Sequence, residues 1–136
     1  MRQLPLAMFF VCLLGFVGCG GETGPQTITI SGEVTFNGEP MPDGDIIFRP
    51  GDRNLAADAG KIQAGKYSME CKPGKKTVEI RGMRNVAGAK EQTLETGETG
   101  TDVEQYIPLE FNDKTTLKAD VTESGETTFD FSLKGK

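Results

Sequence analysis

The chain has 136 residues, 15 Lys and Arg against 20 Asp and Glu, and neither histidine nor tryptophan. That length allows one small domain. The acidic balance argues against a nucleic-acid surface, and the lack of histidine excludes mechanisms that need an imidazole base or ligand.

The first 18 residues hold 13 of the apolar side chains but only one charge, Arg2. This is the pattern of an export signal, with Arg2 as a minimal positive region and residues 4–17 as an apolar run of 14 residues. Such a run is short for a bilayer span and too apolar for a soluble surface helix. It ends in Phe16, Val17, Gly18 and Cys19, which resembles the bacterial lipobox, although Phe16 stands where leucine is usual. The resemblance implies that the Cys19 thiol is alkylated by a diacylglyceryl group and that the chain is then held at a membrane by its acyl chains. Simple secretion after cleavage at Gly20 or Gly21 is the alternative. Cys12 would leave with the signal and Cys19 would carry lipid, so Cys71 alone remains and no intrachain disulfide forms. Residues 19–26 read as a short flexible tether, and residues 27–136 as the folded domain.

In that domain Leu, Ile, Val and Phe are scarce, so periodicity must decide whether it orders. Residues 27–36 place Ile28, Ile30, Val34 and Phe36 on one parity, a strand with one buried face. Asn37 and Gly38 supply a turn, and Pro40 and Pro42 oppose a helix. A second strand covers residues 45–49 with Ile46 and Phe48 inward, followed by an exposed loop over 52–58. A third runs through 59–63, turns at Ala64 and Gly65, and leads into a fourth over 66–71 with Tyr67, Met69 and Cys71 inward. Lys72, Pro73 and Gly74 form the next turn. The fifth strand, 75–84, puts Val78 and Ile80 inward and Thr77, Glu79 and Arg81 outward.

Residues 85–112 show no convincing strand. A loop of that length in a compact domain is functional or disordered as a rule. Its middle, 93–101, reads as mobile, whereas 104–112 carries Tyr106, Ile107, Leu109 and Phe111, which require burial, and reads as a clasp on the domain. Two strands close the chain, one with Leu117, Ala119 and Val121 inward and one with Phe129, Phe131 and Leu133 inward. About seven short strands separated by turns specify an all-β antiparallel sandwich of immunoglobulin-like type.

The series ISGEVTFNGEPMPDGDIIFRP, GKYSM, PGKKTVEIRG, EQYIPLEFN and TTLKADVTESGETTFDFSL resembles the small exported lipoproteins of planctomycete bacteria that carry a transthyretin-like or carboxypeptidase-regulatory-like domain. The resemblance implies a sandwich fold and an envelope location; it implies no activity. Hydrolases and dioxygenases of comparable architecture depend on histidine, and only Tyr67 and Tyr106 are present here. A Ser or Cys nucleophile would lack its usual base.

Asp43, Asp45, Asp52 and Asp58 could offer oxygen ligands to calcium, but their spacing matches no calcium loop, and they read as solvated turn residues. Cys71 reads as an inert core residue by its parity with Tyr67 and Met69. Lys72, Lys75, Lys76, Arg81, Arg84 and Lys90 face one acid, Glu79, before the sign reverses at Glu91, Glu95, Glu98, Asp102 and Glu104. This basic stretch reads as a solvated strand face, with contact to anionic headgroups or wall polymer as the functional alternative.

The sequence thus specifies a lipid-anchored, non-enzymatic envelope module. Its membrane contact would run through Cys19, its partner would be an envelope protein or wall polymer, and it would carry no cofactor or metal. The alternative is a secreted accessory domain that binds carbohydrate or peptide through residues 85–112.

Overall fold

The computed structural model describes residues 24 and 26–135, so the signal segment and Cys19 lie outside the described residues. The described residues form twelve strands: β1 Ile28–Phe36, β2 Glu39–Pro40, β3 Asp43–Pro50, β4 Asp58–Gln63, β5 Lys66–Cys71, β6 Gly74–Arg81, β7 Met83–Asn85, β8 Gln92–Thr93, β9 Thr99–Gly100, β10 Val103–Gln105, β11 Lys118–Val121 and β12 Phe131–Leu133. A single 3-10 turn, Leu109–Phe111, is the helical element of the described residues. No helix among them is long and apolar enough to cross a membrane.

Eight strands form one curled sheet with the path β11-β6-β3-β4-β5-β1-β12 and with β2 on β1. The path folds at the β4–β5 hairpin, where Gln63 and Lys66 beside the turn are the one registered pair. Both turn residues, Ala64 and Gly65, have positive φ, as a two-residue hairpin requires. Beyond the turn the strands part, and Met69 of β5 lies so close over Gly60 of β4 that a Cβ there would sit 3.0 Å from its sulfur. One layer is then β11-β6-β3-β4 and the other β5-β1-β12, the two-layer sandwich expected from the alternation.

The core is built from the parities that the sequence assigns. Ile30 and Val34 of β1, Ile46 and Phe48 of β3, Tyr67, Met69 and Cys71 of β5, and Val78 and Ile80 of β6 are all buried. Phe48 crosses between the layers, with ring centroids 6.2 Å from Tyr67, 6.3 Å from Phe129 and 6.5 Å from Phe131.

Three local expectations are corrected. The closing strand β12 lies parallel to β1, Val34 against Phe131 through Phe36 against Leu133, because the chain crosses from β11 to the other layer before pairing. Residues 85–112 are not strandless: β7 pairs with β10 and β8 with β9, both antiparallel. The fifth strand does not run unbroken through 75–84 but stops at Arg81, and Gly82 separates β6 from β7.

Gly32 marks where the two layers close on β1. A Cβ at this position would stand 1.9 Å from the carbonyl oxygen of Phe129, the same oxygen that accepts the Tyr67 hydroxyl at 2.7 Å. Gly32→Ala should therefore push the lead-in to β12 off β1 and cost about 1–3 kcal/mol, the usual penalty of overpacking. A lowered urea midpoint with an unchanged slope is the expected result.

Candidate functional site

β1 has nine residues, and at about 3.3 Å per residue it is about 30 Å long. Its first residue, Ile28, pairs with Cys71 at the end of β5. Its last, Phe36, lines a groove at the opposite end of the sandwich. Each end holds a polar cluster.

At the Ile28 end, Asp58, Lys76 and Cys71 all point inward. Lys76 shares its parity with Val78 and Ile80, and Asp58 lies opposite Phe48 on β3. Asp58 is 9% exposed and Lys76 3%. The Asp58 carboxylate accepts from Lys76 Nζ at 3.2 Å, from Lys72 Nζ at 2.6 Å, from the Lys72 amide at 3.0 Å and from the Cys71 thiol at 3.5 Å. This overturns two expectations: Asp58 is not a solvated turn residue, and Lys76 does not belong to a solvated basic face. Burial raises the Asp58 pKa, but the Lys72 and Lys76 bonds outweigh it and leave the carboxyl below its ordinary value. Burial likewise pushes the Cys71 thiol up to about 11 against the pull of Lys76, so the neutral thiol persists at neutral pH.

The other acids are dispersed. Asp45 bonds Lys61, and Asp52 accepts from the Asn54 amide within its own turn. No group of three metal-ligating side chains occurs among the described residues. Glu79 has the outward parity that the sequence assigns, yet it is only 7% exposed. Arg49 and Arg81 close over it, and Arg81 continues to Asp113.

At the Phe36 end, the groove of about 560 Å³ is bounded by Phe36, Pro40, Met41 and Asp43 on one side and by Met83, Arg84, Asn85, Val103 and Tyr106 on the other. Its volume suits a small ligand or a short chain segment. Tyr106 forms its floor. The ring meets Phe36 edge to face at 5.6 Å, and the Arg84 guanidinium carbon lies 5.5 Å from its centroid. Arg84 is also bonded to Glu104 at 2.8 Å.

The close approach of Tyr106 and Met41 demands glycine at position 82, where a Cβ would stand 2.8 Å from the tyrosine ring and 2.6 Å from the Met41 methyl. Gln105 Oε1 accepts from the Gly82 amide at 2.8 Å and from the Ile107 amide at 3.2 Å, fastening the segment. The clasp is thus real at Tyr106 and Ile107. It is secured further by buried Asn112, which donates to the carbonyls of Ile107 and Pro108. It fails at Leu109, which is 54% exposed because the 3-10 turn points it to solvent.

No family model and no curated protein matches the chain. Among solved structures it is similar to a 9R-lipoxygenase from Cyanothece PCC8801, at 15% identity and a TM-score of 0.39 over 83% of this chain. The chain spans 17% of that lipoxygenase. At this level the likeness transfers neither fold nor activity.

Removing the Asp58 charge should leave Lys76 buried without a counter-ion, so Asp58→Asn should cost about 3–5 kcal/mol near neutral pH. The folded carboxyl lies below its unfolded value of about 3.9. Its contribution is therefore full above that value and is lost as pH falls through the folded pKa. Urea midpoints of wild type and Asp58→Asn should accordingly converge below about pH 4. The Tyr106 hydroxyl, by contrast, is buried with no hydrogen-bond partner among the described residues. Tyr106→Phe should raise stability by about 1 kcal/mol, the cost of an unsatisfied buried group, read as an increase in the same midpoint.

Proposed function

We propose that this protein is a lipid-anchored, non-enzymatic module of the bacterial cell envelope, of the transthyretin-like lipoprotein kind, which presents a binding groove away from the membrane. The observation that carries this reading is the polarity of β1. The chain enters the sandwich at Ile28, nine residues after Cys19, and the groove beyond Phe36 lies at the far end of that strand. A diacylglyceryl group on Cys19 would hold the Ile28 end toward the bilayer and leave the groove facing outward. Two acyl chains are enough for durable attachment.

The non-enzymatic part rests on the residues available. The chain has no histidine, Cys71 is buried with a raised thiol pKa, and Tyr67 is committed to the Phe129 carbonyl. Of the basic stretch, Lys76 is buried and Lys72, Arg81 and Arg84 are engaged by acids, which leaves Lys75 and Lys90 as its exposed cations without an ion pair among the described residues.

Replacing Cys19 tests the anchor. Cys19→Ser should move the protein from the membrane to the soluble fraction and abolish incorporation of a fatty-acid analogue. Unchanged membrane attachment would defeat the proposal in favour of another mode of retention.

A further inference from the structure

The groove is a place where a sheet has been left open. The β3–β6 ladder runs from Pro50 against Lys76 to Asp45 against Arg81 and stops there. Continued in register, it would set Asp43 against Met83, but at Gly82 the chain turns away and β7 pairs with β10 instead. The bonds on either side of β7 identify which backbone groups that ladder uses. Tyr106 donates to the Gly82 carbonyl at 3.0 Å, and Val86 donates to the Asp102 carbonyl at 2.8 Å. In an antiparallel pair such bonded positions alternate, so 82, 84 and 86 face β10. Met83 and Asn85 then turn their N–H and C=O groups to the opposite edge, toward the start of β3. By the same alternation Asp43 turns its backbone toward β7, since the even residues of β3 face β4. Two short strand edges border the groove, and neither has a ladder partner among the described residues.

We propose that the groove binds an extended, basic and apolar polypeptide segment by strand addition to the free edge of β7. This deepens the binding-module reading and rests on it. An incoming strand would take the main-chain bonds of Met83 and Asn85 and lay alternate side chains over Phe36, Met41 and Tyr106. The charge of the occupant follows from the walls. Glu39 and Asp43 are exposed at the groove, whereas its one guanidinium, Arg84, is engaged by Glu104 and the Tyr106 ring. The rest of the arm that carries β7 is acidic as well, at Glu91, Glu95, Glu98 and Asp102. A second copy of the chain would bring like charge to this edge, which disfavours self-pairing.

The test uses the full chain in detergent micelles and, as probe, a ten-residue peptide of alternating lysine and valine. Addition of the peptide should slow amide exchange at Met83 and Asn85 at least tenfold. Methylating the peptide nitrogens on the bonding edge leaves its charge and apolar surface in place but removes its donors, and should weaken binding at least tenfold. Asn85→Pro deletes the outward N–H without removing a β7–β10 bond and should do the same.

Binding of the methylated peptide within twofold of the parent would overturn strand addition, and this outcome stands even if Asn85→Pro fails to fold. Unchanged exchange at Met83 and Asn85 at saturating peptide would also overturn it. Protection that rises with protein concentration without peptide would assign the edge to a second copy instead. Cys19→Ser should bind the peptide as the parent does, so failure of the anchor and failure of the groove are separate results.

Discussion

Phe48 is the contact on which the two-layer arrangement depends. It stands on β3 in one layer and meets Tyr67, Phe129 and Phe131 of the other. A domain with so few large apolar residues cannot spread its burial over many equivalent sites, so the inter-layer seam concentrates in these rings. The Tyr67 hydroxyl adds direction by fixing the Phe129 carbonyl, which in turn leaves room for no side chain at position 32. The parallel lead-in to β12 is therefore set by one aromatic cluster, one hydroxyl and one glycine.

The two ends of the sandwich are sealed by different physics. At the Ile28 end, Asp58 joins the start of β4 to the β5–β6 turn and to the buried Lys76, a set whose charges compensate one another only in the folded arrangement. At the groove end, closure is left to Tyr106, Met41 and Phe36, with the Gln105 side chain acting as a substitute for ladder bonds at Gly82. The first end gains specificity from fixed partners. The second tolerates open backbone edges, which is the condition for accepting a ligand.

The strands were legible wherever one parity was consistently apolar, as in β1 and β5, because a half-buried strand writes its two faces into alternate residues. The same parity placed Lys76 beside Val78 and Ile80, and Asp58 beside Ile62, on the inward face. Their burial was thus open to inference, but charge made the solvated reading the natural one until a cross-strand partner was visible. Glu79 could not be found in this way, since its parity is outward and its cover is supplied by Arg49 and Arg81 from other positions. The groove was illegible for a different reason. It exists because the chain turns away from β3 at Gly82, after β6, and the short strands β7 and β10, exposed throughout, carry no periodic signal. The proposed lipidation of Cys19 rests wholly on the sequence, as that residue lies outside the described structure.

The opposed placement of Ile28 and the groove has a mechanical consequence. A pull applied between residue 28 and a strand held on β7 would run along the strand axes of the sandwich. β1 pairs with β5 over its first part and with β12 over its last, so the load would act on those hydrogen bonds together, in shear. A domain gripped at neighbouring corners would instead be peeled one bond at a time. With the anchor and the bound strand as proposed, the long axis of β1 would make the sandwich a tension-bearing link between its two ends.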